Sequence, residues 1–187
     1  MGPDNSQIMA CLPQMSVAFA HYFSFCFFTC PIQLDYAEWI SCLFILKIYT
    51  TGAGKSYLAQ ALGQAACRRL ISTRYIQLPD LLEELHMAKA KDPEPFHRLR
   101  KQFVKYDLLI IDEWLLFPIS EGDAQILLSL IDRRHNYKAT IIASQYEPAE
   151  WLDQIPIPVA AEAITDRLSA QAYRITLDSK NSMRLLR

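Results

Sequence analysis

One short run limits what this chain can fold into more than any other: Gly52-Ala53-Gly54-Lys55-Ser56, continued by Tyr57-Leu58-Ala59-Gln60-Ala61-Leu62. Glycines let a backbone curl so that successive N–H groups point inward. The good helix former that follows sets the positive end of a helix dipole behind the curl. Ahead of it, Leu43–Tyr49 (LFILKIY) is apolar and of strand length. Strand, glycine turn and helix in that order open a parallel α/β unit, and the turn between them suits an anion.

A second segment gives the turn its chemical partner. Leu108-Leu109-Ile110-Ile111-Asp112-Glu113 is an apolar strand that delivers two carboxylates to a sheet edge. Together the two segments are what a site for ATP and Mg²⁺ requires. Thr51, Gly52, Ala53, Gly54 and Tyr57 would wrap the phosphates, and Lys55 would set an ammonium on the β- and γ-phosphates. Ser56 and Asp112 would hold Mg²⁺, and Glu113 would orient and deprotonate the attacking water. The full loop pattern, G-x-x-x-x-G-K-[ST], places glycine at position 49, where this chain has Tyr49. The plainer interpretation is a glycine turn and a buried strand ending in an N-cap aspartate.

A chain of 187 residues holds one α/β domain with a sizeable core rather than two. Its net charge of −1 conceals a polarity, because all 19 Lys and Arg lie at or after Lys47. Residues 5–34 carry no charge, and Val17–Cys30 is an aromatic, apolar run too short for a membrane span and without the basic start of a secretory signal. No membrane association is expected, and a reducing cytoplasmic setting suits the cysteines. Cys11, Cys26, Cys30 and Cys42 all fall in this early part, with no partner pair at zinc spacing. His21, His86, His97 and His135 do not cluster at metal spacing either. Residues 1–42 are therefore set apart as an atypical apolar segment outside the working domain, which spans 43–187.

From Leu43 onward, strand and helix patterns alternate. Helices are expected over Lys55–Leu70, with Ala61, Ala65 and Ala66 as the close-packing face, and over Asp80–Lys91, Phe96–Lys105, Ser120–Arg134 and Ala160–Ser169. Asp92-Pro93-Glu94-Pro95 should break the second from the third, and Ser120 with Asp123 resembles a capping box. Strands are expected at Arg74–Leu78, Asp107–Asp112, Lys138–Ala143 and Tyr173–Leu177. Such alternation gives a central parallel β-sheet with helices on both faces, whose ligands sit at the carboxyl ends of the strands. Lys55/Ser56, Asp112/Glu113 and Ser144/Gln145 all lie at such ends.

Four stretches in order, TTGAGKSYLAQALGQAAC, YDLLIIDEW, ATIIASQY and AITDRLSAQAYRITL, resemble the IstB-like ATP-binding proteins, helper ATPases of certain transposons. These are similar in turn to DnaC-type helicase loaders of the AAA+ class. The resemblance runs from about Lys47 to Arg184. It implies a P-loop NTPase of AAA+ type that binds ATP and works on DNA as a homo-oligomer, beside a transposase or a replicative helicase. It gives Lys55, Ser56, Asp112 and Glu113 the roles already described. It makes Gln145 the sensor of the γ-phosphate, Arg167 the arginine finger for a neighbouring subunit, and Arg184 a second sensor. A surface ion pair of Arg167 with Asp166, and a solvated tail at Arg184, are the plainer alternatives. The family carries a helical domain ahead of its ATPase, which residues 1–42 do not resemble.

Lys89, Lys91, Arg98, Arg100, Lys101 and Lys105 form a basic cluster around the expected third helix, and Arg98, Lys101 and Lys105 share one face. Such a stripe can follow a phosphate backbone without reading bases, so little sequence specificity is expected; a solvated helix face is the bland alternative. Trp114 is expected to pack rather than stack. The leading expectation is a DNA-associated helper ATPase of transposition that assembles on DNA with ATP. The alternatives are a DnaC-like helicase loader, or a remnant with impaired turnover, to which Tyr49 and residues 1–42 point.

Overall fold

Five short apolar segments pair side by side, all parallel: β1 (Leu43–Ile48), β2 (Thr73–Gln77), β3 (Leu108–Trp114), β4 (Ala139–Ser144) and β5 (Ala172–Leu177), in the order β2-β3-β4-β1-β5. This computed structural model describes residues 43–48, 54–170 and 172–177, with backbone alone for β1, Lys91, Thr176 and Leu177. Segment 1–42, Tyr49, Thr51, Gly52, Ala53 and Arg184 lie outside the described residues.

The helices are α1 (Lys55–Arg68), α2 (Leu78–Lys91), α3 (Pro93–Lys105), α4 (Glu121–Arg134) and α5 (Pro158–Ser169), with a 3₁₀ turn at Pro148–Gln154 before α5. From β1 the chain steps through α1 to the far edge at β2. It then returns strand by strand and passes over β1 to β5. Parallel crossovers are right-handed, so helices that serve opposite steps lie on opposite faces. α1 is accordingly alone on its face among the described residues, and α2 to α5 fill the other. The connections leaving β1 and β4, which are neighbours, diverge to opposite faces and open a crevice at the carboxyl edge.

β3 shows both layers at once. Its side chains alternate, so Leu108 and Ile110 meet α1 while Leu109 and Ile111 meet α2 and α4, and none of the four is more than 1% exposed. The packing face of α1 is Leu58, Ala59, Leu62, Gly63 and Ala66, rather than Ala61, Ala65 and Ala66. Only Ala66 is common to both sets, because the helix is rotated to bring Gly63 against β3. A Cβ at Gly63 would lie 2.8 Å from Ile110 Cδ1, so this glycine permits the close approach.

The helix boundaries also differ in places. Asp92 alone separates α2 from α3, since Pro93 and Pro95 both fit in a first turn that needs no intrahelical N–H. The capping box of Ser120 and Asp123 is present as expected. His86 of α2 adds a bond to Asp123 Oδ1 at 2.5 Å, tying α2 to the start of α4. The 3₁₀ turn has no periodic signature in its sequence, PAEWLDQ.

The least expected core residue is Arg134, the last of α4, 1% exposed. Its guanidinium donates to Phe103 O at 2.8 Å, Val104 O at 3.2 Å and Tyr106 O at 2.8 Å, which closes the carbonyl end of α3. It also donates to Thr140 Oγ1 at 3.2 Å and to Ala139 O. Burial pulls it down to about 10, with Asp107 opposing. One side chain thus joins α3, α4 and β4. Arg134→Met strands these acceptors and should lower the unfolding free energy by about 3 kcal/mol at unchanged m-value in urea. A loss within about 0.5 kcal/mol, ordinary for surface substitutions, would contradict this role.

At the amino edge of the sheet, Asp107 accepts from Lys138 Nζ at 2.6 Å and Ser72 Oγ at 2.9 Å. Burial alone would raise its carboxyl, but the bonds from Lys138 and Ser72 outweigh it and hold the group below its ordinary 3.8. A depressed aspartate stabilises the fold above that ordinary value and loses its effect as pH falls through the folded one. Asp107→Asn should therefore cost up to about 1 kcal/mol at pH 7, given that both partners are partly exposed. The difference from the parent should shrink towards pH 3 in parallel melts, and a gap that widens in acid would contradict the pairing.

Candidate functional site

The crevice at the carboxyl edge is flanked by the start of α1, the end of β3 and the end of β4. Gly54 has φ 92° and ψ 17°, a left-handed conformation that glycine adopts without strain. It starts α1 without a side-chain cap, and no acidic residue lies in the first turn. The helix's first bond runs from Leu58 N to Gly54 O at 2.9 Å, so the N–H groups of Lys55, Ser56 and Tyr57 have no partner within the helix. α4 satisfies its own start through a capping box; α1 leaves its start for an outside acceptor.

Lys55 Nζ is buried and has no hydrogen-bond partner among the described residues. Burial lowers this ammonium from its ordinary value, while the charges of Asp112 and Glu113 pull the other way. Both carboxylates thus act on one cation without bonding it. In a regular strand their side chains would point to opposite faces. β3 does not stay regular. Ile111 pairs with Ile142, the next pair is Trp114 with Ser144, and Asp112 and Glu113 together face Ala143. Glu113 within the bulge has φ 54° and Leu115, just past the end of β3, has φ 50°, a left-handed backbone costing of order 1–3 kcal/mol per residue. The effect of the bulge is to re-aim the second carboxylate.

Asp112 is completely buried. Its Oδ1 accepts from the Glu113 N–H at 2.8 Å, and its Oδ2 from the Tyr75 hydroxyl of β2 at 2.7 Å. Burial and then the bond to Asp112 push the Tyr75 phenol above its ordinary value, while nearby Gln60 of α1 works against them. The phenol is therefore protonated and a donor at neutral pH.

At the end of β4, buried Ser144 donates to Trp114 O at 3.2 Å and accepts from Tyr146 N and Trp151 Nε1, each at 3.1 Å. Trp114 and Trp151 are both fully buried, with their rings edge to face at 5.8 Å. This lock fixes the turn that presents exposed Gln145 and joins it to the acidic end of β3. Trp114 packs, as expected. Ser144 stands at a strand end as expected, whereas Tyr75, Gln60 and Trp151 carry no spacing that would single them out. Only the sheet order brings them to the crevice.

The other expected residues lie away from it. Lys89, Arg98, Lys101 and Lys105 are exposed on α2 and α3, Arg98 loosely paired with Glu94 at 3.8 Å. Lys91 ends α2, and its side chain lies outside the description. Arg100 turns inward, its Nη1 donating to Ser129 Oγ at 3.3 Å and its guanidinium lying 5.6 Å from the Phe96 ring. Arg167 pairs with Asp132 of α4 at 3.0 Å, not with its neighbour Asp166, and also donates to Ala163 O at 2.9 Å. Asp166 is one residue away on the helix and faces a different direction. Among the described residues, no cluster of three or more His, Cys, Asp or Glu could hold a metal ion, and no helix is long and apolar enough to cross a membrane.

Residues 33–187 match the model of the IstB-like ATP binding proteins. The chain belongs to that family. An insertion-sequence ATP-binding protein of Sinorhizobium fredii is 38% identical over 137 residues, covering 73% of this chain and 54% of its own. The chain spans about half the length of the curated relatives it matches. In fold, the IstB-like chain is similar to AMPPCP-bound DnaA from Aquifex aeolicus, with a TM-score of 0.66 at 18% identity over 91% of this chain and 50% of that one. The DnaC helicase loader gives 0.63 at 16% identity, over 91% and 96%. The fold is that of the AAA+ P-loop NTPases, a parallel α/β sheet covered on both faces.

A lysine kept for a ligand rather than for the fold should not be missed by the empty protein. Lys55→Met is expected to leave the unfolding free energy unchanged or raise it by up to about 1 kcal/mol, since it removes a buried charge that no described group bonds. Urea melts of the two proteins check this; a loss above 1 kcal/mol would make Lys55 a structural residue.

Proposed function

We propose that this IstB-like chain binds ATP with Mg²⁺ at the crevice and acts as a DNA-associated helper ATPase of transposition, assembling on DNA as an ATP-driven homo-oligomer. The observation that carries the proposal is a buried Lys55 ammonium, without a hydrogen-bond partner among the described residues, between a helix start lacking a side-chain cap and two carboxylates. Phosphate is the group that answers all three features. It accepts from N–H groups at a helix start, bonds the ammonium, and carries the cation that carboxylates favour.

In this reading Thr51, Gly52, Ala53, Gly54 and Tyr57 surround the phosphates, and Lys55 bonds the β- and γ-phosphates. Asp112 and Ser56 fit Mg²⁺, which binds through one or two carboxylates together with substrate phosphates rather than in a protein cage. When bound, the ion neutralises charge that develops on the phosphates. Glu113 orients the attacking water and takes its proton. Gln145 bonds the γ-phosphate from the locked turn, and Arg184 serves as a second sensor. Arg167 acts on a neighbouring subunit's site, exchanging Asp132 for phosphate when subunits meet. The exposed basic groups Lys89, Lys91, Arg98, Lys101 and Lys105 follow the DNA backbone with little sequence specificity, and Arg100 supports them.

The partner in this reading is a transposase, after the relatives' insertion-sequence names. A helicase loader is the second reading, favoured by the DnaC likeness, which covers 96% of that chain. Residues 43–187 form the ATPase domain, and a cytoplasmic setting suits either partner. The test is steady-state ATP hydrolysis with and without duplex DNA. Hydrolysis by the parent should rise with DNA and fall back as salt increases, and Glu113→Gln should lower it by about 10² or more while nucleotide binding persists. Equal rates for parent and variant would overturn the assignment of Glu113. A folded chain that binds but does not turn over ATP would favour the remnant.

A further inference from the structure

Asp112 has a neighbour that none of the roles above includes. A fully buried carboxylate must be oriented by what it accepts, and among the described residues each oxygen has one donor: Glu113 N–H on Oδ1 and Tyr75 hydroxyl on Oδ2. The first is local, from the next residue in the bulge. The second comes from β2, whose Gln77 is in register with Asp112 while Tyr75 pairs with Ile110 two residues earlier. The long phenol therefore reaches up along the sheet towards the crevice. Gln60 of α1, the helix that carries Lys55 and Ser56 at its start, lies near enough to act on the Tyr75 phenol.

We propose that Tyr75 is a positioning residue: its hydroxyl fixes the Asp112 carboxylate for Mg²⁺. This deepens the reading of the crevice as a Mg·ATP site and rests on it. The alternative to a held carboxylate is one free to turn towards the Lys55 ammonium, which lies close enough for its charge to be felt. A direct Asp112–Lys55 pair would spend the metal ligand and the phosphate cation on one another. The hydroxyl prevents this at the distance of one hydrogen bond. Groups that orient a metal ligand without touching the metal are worth about 10–100-fold in metal affinity.

The experiment measures ATP affinity by calorimetric titration with Mg²⁺ and with a chelator, for the parent and for Tyr75→Phe. Mn²⁺ binding in the presence of ATP, followed by electron paramagnetic resonance, gives a readout independent of turnover. Phenylalanine keeps the ring, and thermal melts establish that the variant folds. Gln60→Leu, which leaves the hydroxyl in place, should show a smaller loss in the same direction and keeps the proposal open to test if Tyr75→Phe is unstable. The expected result is that Tyr75→Phe lowers the Mg²⁺-dependent gain in ATP affinity and the Mn²⁺ affinity by about 10-fold or more, with metal-free ATP affinity unchanged. A full Mg²⁺-dependent gain in the variant would overturn the role of Tyr75 alone. Equal losses with and without metal would show a merely structural residue. A parent that binds no ATP would overturn the site reading beneath it, and Tyr75 with it.

Discussion

Two opposite charges lie close together under the carboxyl edge of this sheet without forming an ion pair. Asp112 is wholly buried and is bonded by the Glu113 N–H and the Tyr75 hydroxyl, while the Lys55 ammonium is buried and has no hydrogen-bond partner among the described residues. Charges this close in a poorly solvated place would ordinarily collapse onto one another, since their attraction grows as water is excluded. Rigid supports keep them apart. The bulge in β3 fixes the carboxylates, the turn at Gly54 fixes the ammonium, and Tyr75 bonds the Asp112 oxygen that might otherwise swing across.

The remainder of the fold supplies that rigidity. Gly63 lets α1 sit against Ile110, so the helix carrying Lys55 and the strand carrying Asp112 form one packed unit. The crossing of the chain places β4 between β1 and β3, and the Ser144–Trp151–Trp114 lock makes Gln145 part of the same edge. On the opposite side, Arg134 ties basic helix α3 to α4 and β4, so the surface assigned to DNA is braced on the sheet that bears the crevice. Strain and an unbonded cation concentrate where the ligand would bind, which is the distribution expected of a working site.

Most of the architecture was legible in the sequence because it rests on local signals. Apolar runs of strand length, the Ser120/Asp123 box and the glycine turn before Tyr57 each announce an element within a few residues. What the sequence did not disclose depends on contacts across tens of residues. Alanines pack closely in general and point to Ala61 and Ala65 on α1, whereas the contact is set by the single glycine at position 63. Arg134 looked like an ordinary basic helix end, and its burial follows only from where α3 stops. Arg167 has Asp166 beside it in the chain, while its ion pair is with Asp132 on another helix. Asp112 and Glu113 were readable as a pair, but not the bulge that brings both to bear on Lys55, nor Tyr75, 37 positions away in the chain.

The central claim is that the separated charges await a nucleotide. Calorimetric titration of Mg·ATP into the parent chain, with Lys55→Ala as control, tests it most directly. The account predicts saturable binding at one nucleotide per chain that Lys55→Ala abolishes. No heat of binding to the well-folded parent, or equal affinity for both proteins, would contradict it.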